Sequence, residues 1–343
     1  MPTRAEAISR RDLLTAGAAA ATSIASTRAI VAGEPKTTRP AKPDKALIAI
    51  TLDLEMARNF PTWDQTHWDY EKGNLDDDAK RYSVAAARRV RESGGRVHFF
   101  ALGQTFEQEN VDWLRGIVKD GHPVGNHTYD HVYVLAKKIK DVQYRFARAP
   151  WLVHGKTPAQ VIRENIALCT MAMKARLGIK PAGFRTPGGF PTGLGGRPDV
   201  QKMLLELGFD WVSAKWYCHT LPEPGKKPTK QLYDAMVSSL EKTQPFVYPT
   251  GLIDVPMSPV SDVVAFRVGR WRLKYFLEAT RLSVEWAIAH RAVFDFLAHP
   301  SVLGVVDPKL RAIDLICKLV RQAGDRAALV DLGTMARRAK ARA

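Results

Sequence analysis

The sequence predicts a parallel α/β barrel in a single domain, and three observations carry that expectation. Short β-rich runs alternate with longer helical stretches from residue 46 almost to the end of the chain. Seven or eight such strands, joined by right-handed crossovers, place every helix outside the sheet. The glycine-rich phosphate loop of a doubly wound sheet is missing, because the first strand runs into Asp53-Leu54-Glu55-Met56. Polar and reactive side chains also fall where strands end, as barrel active sites require: Asp53, Glu55, His127, Arg185, Asp254 and His299.

Taken in order, residues 46–52 form a nearly continuous apolar run, the signature of a strand buried on both faces. Residues 77–93 carry helical periodicity through Tyr82, Ala85, Ala86 and Val90, and stop at Gly94-Gly95. A strand over 96–102, a helix over 111–119 and a short strand over 123–127 follow. The helix over 158–177 ends at Gly178, before a strand over 181–185. Helix 199–207, strand 209–215, helix 230–243 and a strand-like run over 246–255 continue the alternation. Helix 272–290, strand 293–299, helix 309–323, strand 328–332 and a charged terminal helix complete it. Residues 59–73, rich in Trp, Tyr and Asp, are a candidate lid or substrate wall, with ordinary loop packing as the alternative.

The chain has 343 residues, enough for a large core, and a formal net charge of +16. Residues 1–33 carry four Arg against Glu6 and Asp12, so most of the excess lies in the remainder. The basic residues are scattered in short clusters, which fits a solvated surface better than a nucleic-acid interface, and no nucleic-acid motif is present. Cys169, Cys218 and Cys317 are far apart and odd in number. They form neither a disulfide framework nor a CxxC metal site.

Ser9-Arg10-Arg11-Asp12-Leu13-Leu14 precedes a short apolar run rich in Ala and Gly, with small residues near Ala29 and Ala32. That pattern predicts a signal peptide over 1–33, too short to span a membrane, then a proline-containing linker over 34–45 and the catalytic domain over 46–343. The paired arginines resemble a twin-arginine signal, which implies machinery that exports folded proteins as a partner. The expected location is periplasmic or extracellular, with no transmembrane segment in the mature chain.

Four short motifs carry the chemistry. In His127-Thr128-Tyr129-Asp130-His131 two histidines four apart bind one cation if the segment forms a helical turn. In Thr51-Leu52-Asp53-Leu54-Glu55 the two carboxylates share a strand face, and like charges at a barrel mouth call for a cation or proton between them. Arg185, in Gly183-Phe184-Arg185-Thr186-Pro187, ends a strand where it can orient a carboxylate. His299, in Leu297-Ala298-His299-Pro300, ends a late strand.

Together and in this order the motifs resemble the polysaccharide deacetylase superfamily (carbohydrate esterase family 4, the NodB-homology fold). The matching signatures are His-Thr-x-x-His, Arg-x-Pro and Leu-x-His. The resemblance implies a distorted parallel (β/α)7-type barrel of the glycoside hydrolase/deacetylase-like kind, hydrolysing an N-acyl amide on a sugar or a related C–N bond. Residue by residue it implies Glu55, His127 and His131 as ligands of a divalent metal, most commonly Zn2+, Asp53 as base held by Arg185, and His299 as acid. The first motif departs from the family's adjacent aspartates: Leu54 intervenes and the ligand is Glu55, as in a T-x-D-x-acid branch. The acid that pairs with the late histidine is not plainly present, which leaves Asp254 as the candidate.

Trp211, Trp216 and Pro187 are candidate walls of the acyl pocket, with core packing as the alternative for the tryptophans. His67, His98, His122, His154, His219 and His290 read as packing or surface residues. The expected substrate is a glycan or small amide, most naturally an N-acetylated sugar of a polysaccharide or peptidoglycan. A cyclic-amide hydrolase of allantoinase type and a catalytically inactive glycan-binding module are the other readings. Retention of ligand, base and acid candidates disfavours the latter.

Overall fold

A computed structural model describes residues 44–55 and 72–343. The signal-peptide reading, almost all of the linker and most of the candidate lid at 59–73 lie outside the described residues. The chain runs β1 (Ala46–Leu54), α1 (Asp77–Glu92), β2 (Val97–Ala101), α2 (Asp112–Lys119) and β3 (Val124–Asn126). Next come α3 (Pro158–Leu177), β4 (Phe184–Phe190), α4 (Pro198–Glu206), β5 (Trp211–Lys215) and α5 (Lys230–Ser238). The short strands β6 (Phe246–Val247) and β7 (Ile253–Asp254) precede α6 (Leu273–His290) and β8 (Val293–Ala298). The last elements are α7 (Pro300–Val306), α8 (Arg311–Ala323), β9 (Ala327–Leu329) and α9 (Leu332–Arg342).

Local chemistry explains the element ends. Asp76 caps α1 by accepting from Ala79 N, with Asp77 and Asp78 in the first turn and Arg89 and Arg91 in the last. Helix α3 starts with a Thr157/Gln160 capping box and Pro158, and ends at Gly178 in the left-handed conformation. The run expected as one strand over 246–255 is instead two short strands, β6 and β7, paired antiparallel through a turn at Gly251.

The strands form one curled sheet in the order β6-β7-β5-β4-β3-β2-β1-β8, parallel except for the β6–β7 pair. This is the predicted barrel in a distorted and incompletely closed form. All nine residues of β1 are buried. One edge of β1 pairs with β8, and the other takes β9 over Ala46–Ile48 and β2 over Ile50–Leu54. No strand pairing joins β8 to β6. The Gln244 side chain spans that seam, donating to Val293 O (3.1 Å) and accepting from Val293 N (2.8 Å). Its amide thus stands in for a strand at two buried backbone groups that would otherwise be costly to leave unpaired.

Apolar residues fill both sides of the sheet. One cluster packs α1, α6 and α8 against β1, β2 and β8, and a second packs α3 and α4 against β4 and β5. A third joins Leu47, Phe100, Trp211 and Val293 to Leu332 and Met335 of α9, so the C-terminal helix covers the end of the barrel where strands begin. Trp211, expected at the pocket, starts β5 and belongs to this cluster, far from the strand ends that build the site.

His98 stacks on Phe100 (ring centroids 4.6 Å apart) and meets Trp211 edge-on, and neither ring nitrogen has a hydrogen-bond partner. Burial pushes its pKa down to about 3, with Asp331 opposing and Arg185 assisting. An unfolded histidine titrates near pH 6.5. Between those values only the unfolded chain binds this proton, so His98 lowers stability as pH falls from about 6.5 towards 3. His98→Phe should therefore gain stability over the wild type on acidification, by about 1.4 kcal/mol per pH unit across that window. Denaturant unfolding curves at several pH values measure the gap. A gap independent of pH would refute the assignment.

Candidate active site

The site lies where β1, β3, β4 and β8 end, in a cavity of about 410 Å³. Asp53 and Glu55 enter it from the end of β1 and are 4% and 8% exposed. His127 follows β3 directly. The segment to His131 is not the helical turn that the HxxxH spacing suggested. It is an irregular loop with Thr128 at φ 67° and His131 at φ 61°. A β-branched residue in the left-handed region is strained, so the surroundings must hold it there.

They do so through side chains. Asn126 Oδ1 accepts from Thr128 N (2.7 Å), and its Nδ2 donates to Ile166 O on α3. Asn165 Oδ1, also on α3, accepts from both Tyr129 N and Asp130 N at 2.8 Å. Gly103 N donates to Thr128 O (3.0 Å), and a Cβ at Gly103 would lie 2.0 Å from the Tyr129 ring, so only glycine permits this approach.

The loop delivers both imidazoles to Glu55. Glu55 Oε2 lies 3.0 Å from His127 Nε2 and also contacts His131 Nε2. The ligand atoms of Glu55, His127 and His131 all fall within 4.8 Å of one another. His127 Nδ1 meets Arg185 O at 2.9 Å; donation to that carbonyl leaves Nε2 with its lone pair towards the cluster. This donor set, one carboxylate and two imidazoles, fits a divalent cation of the zinc type with coordination positions to spare. Burial alone would raise the Glu55 carboxyl, but His131, Lys72 and the hydrogen bonds from His127 and His131 hold it well below its usual range. Burial brings His131 down to about 4, so a neutral imidazole faces an ionised carboxylate.

Two further groups flank the cluster. Asp53 Oδ1 accepts from Arg185 Nη1 at 2.8 Å, while its Oδ2 sits 4.0 Å from His127 Nε2. Arg185 is fully buried. Opposite, His299 Nε2 is 3.2 Å from Glu55 Oε1, and its Nδ1 lies 3.0 Å from Asp262 Oδ1. Burial lowers the His299 pKa, but Asp262 and Glu55 more than reverse that and raise it to about 10.

The support of His299 corrects the sequence expectation. Asp254 ends β7 and bonds to Tyr248 Oη (2.5 Å) and to the backbone of Ala214 and Lys215, not to His299. Asp262 takes that place, and it also accepts from His299 N (2.7 Å) and Val263 N (2.8 Å) as it opens a π-helical turn over Val263–Val268. Such turns recur at functional sites. Of the expected pocket walls, Trp216 lines the cavity with Thr186, Gly188 and Gly189, whereas Pro187 is buried beside them and outside the lining. A Cβ at Gly189 would lie 2.3 Å from Trp216 Cβ, so glycine there makes room for the indole.

Sequence reasoning also missed Lys72 and Asp295. Lys72 is 1% exposed, with its ammonium 2.9 and 3.0 Å from the two ring nitrogens of His131 and 3.7 Å from Glu55 Oε1. It falls in the 59–73 stretch read as a candidate lid or substrate wall, but nothing there singled out the lysine. Asp295 accepts from Arg185 Nη2, and burial pushes its carboxyl up to about 6. Its signal was readable, because Asp295, Leu297 and His299 share one face of β8.

The fold is a parallel α/β barrel of the deacetylase/allantoinase-like kind. Residues 74–210 match the model of the polysaccharide deacetylase family, and the match takes in His127, His131 and Arg185. No curated protein matches the chain by sequence. Among solved structures, a protein assigned as a polysaccharide deacetylase from Mycobacterium smegmatis superposes with a TM-score of 0.60 at 16% identity, covering 89% of this chain and 93% of that one. One from Pseudomonas aeruginosa PAO1, assigned likewise, gives 0.54 at 13% identity, over 85% and 89%. The Puue allantoinase gives 0.51 at 14% identity, over 89% and 93%. At these identities the likeness is one of fold.

Proposed function

We propose that the chain is an exported, metal-dependent hydrolase of non-peptide C–N bonds that deacetylates N-acetylated sugars of a polysaccharide or peptidoglycan. One observation carries the reading. An arginine-held carboxylate, Asp53, and a carboxylate-backed histidine, His299, flank a Glu/His/His donor set in a single pocket. Glu55, His127 and His131 would hold a divalent cation, with Zn2+ the best match to these donors, which would supply Lewis-acid polarisation of an amide carbonyl and a more acidic water. Asp53 Oδ2 takes the proton as water adds to the carbonyl carbon, with Arg185 fixing Oδ1. His299 gives its Nε2 proton to the leaving nitrogen, and Asp262 balances its charge. The C–N bond breaks, the acyl group leaves as a carboxylic acid and the nitrogen leaves as a neutral amine.

The test is metal analysis of the purified protein coupled to amine release from acetylated glycans, with cyclic ureides run in parallel. Metal-dependent amine release from the glycans is expected. Turnover of the ureides alone would assign the allantoinase-type reaction, and no turnover of either with metal bound would overturn the reading.

Export rests on Arg10-Arg11 and the apolar run behind them. Among the described residues no helix is long and apolar enough to cross a membrane. Lysine at both Arg10 and Arg11 should leave the precursor inside the cell, as fractionation would show. Undiminished secretion would point to another route.

A further inference from the structure

Arg185 serves two carboxylates. Its guanidinium lies 4.3 Å from the Phe100 ring centroid. Nη1 donates to Asp53 Oδ1 (2.8 Å) and Thr51 Oγ1 (2.9 Å), Nη2 to Asp295 Oδ2 (2.5 Å), and Nε to Ser213 Oγ (3.3 Å). The Thr51 hydroxyl in turn donates to Asp295 Oδ1 at 2.8 Å. Asp295 is 2% exposed and does not line the pocket.

An arginine facing a single carboxylate favours the two-pronged pairing in which both oxygens are engaged. A base engaged that way accepts a charged hydrogen bond on both oxygens, which makes each a weaker proton acceptor. Here Asp295 occupies Nη2, and Asp53 is bound through Oδ1 alone. Its Oδ2 stays directed at the ligand cluster, 4.0 Å from His127 Nε2.

We propose, on the reading of Asp53 as the base, that Asp295 is a positioning residue that keeps Asp53 one-pronged by claiming the second guanidinium nitrogen. Asp295→Leu frees Nη2 while keeping the branched shape and heavy-atom count of the side chain. It should lower kcat about ten- to hundredfold, the scale of a misplaced catalytic group, with KM and bound metal unchanged. Asp295→Asn, whose amide oxygen still accepts from Nη2, should recover most of that loss. In an Arg185→Lys background, where no two-pronged pairing exists, Asp295→Leu should cost at most a few-fold in kcat. Should the Leu variant fail to accumulate, Asp295→Ala gives the same comparison.

Unchanged kcat in Asp295→Leu, a loss that appears in KM or metal content instead, or equal losses in both backgrounds would overturn the role of Asp295. Asp53→Asn separates this from the parent reading. Full activity in Asp53→Asn removes the base and Asp295's role with it, whereas an inactive Asp53→Asn beside a fully active Asp295→Leu removes Asp295 alone.

Discussion

If the proposed function holds, replacing His127 or His131 by alanine should remove a bound divalent cation and amide hydrolysis together. Each imidazole is one of three donors that converge within 4.8 Å, so either change leaves two. Two ligands hold a catalytic cation poorly when three already leave positions open to water and substrate. Losing a Lewis acid that contributes several kcal/mol costs about a thousandfold in rate or more. The variants should differ in stability. Alanine at 131 inherits a backbone at φ 61°, which a non-glycine residue adopts only under strain, while alanine at 127 loses the hydrogen bond to Arg185 O. Metal content by elemental analysis, read beside amine release, decides the matter. Full occupancy in either variant would dismiss the ligand assignment.

His299→Ala should retain metal and lose turnover by roughly 10²–10⁴-fold, the usual contribution of a general acid. An amine is a very poor leaving group as an anion, so the nitrogen must be protonated as the C–N bond breaks. His299 Nε2 faces the cluster 3.2 Å from Glu55 Oε1, and Asp262 fixes the ring through Nδ1 and stabilises its charge. The loss should be much smaller on an activated ester, whose leaving group departs without a proton. A residue that only shaped the pocket would slow both substrates alike, so equal losses on amide and ester would exclude His299 as the donor.

The barrel was legible in the sequence because its strands are buried on both faces and its helices carry ordinary stop signals. The apolar run of β1 and the caps of α3 need no tertiary information. The site was legible where residues sit at strand ends in a recognisable order, Asp53, Glu55, His127 and His299; Arg185, expected to end a strand over 181–185, lies instead near the start of β4. It was illegible where partners meet across long chain separations. Asp254 ends a strand and so satisfied the barrel rule, yet Asp262, placed by a π-helical turn with no simple sequence period, reaches His299. Trp211 and Trp216 read alike, but one begins β5 beneath the barrel and the other follows its end at the pocket. The histidine pair was found for a reason that proved wrong. Spacing suggested a helix, while the structure uses two left-handed residues and the side chains of Asn126 and Asn165.

The pairing of β1 sets an order in time. This strand is made early, but its partner across one edge, β8, pairs Val293 with Leu47, and β9 brings Ala327 to Ala46. The floor under them is α9, among the last residues of the chain. During synthesis β1 therefore waits, with one edge open, until β8 has been made. Contacts of such long range are slow to form and leave sticky edges exposed meanwhile. β1 is completed as a strand only by partners made long after it.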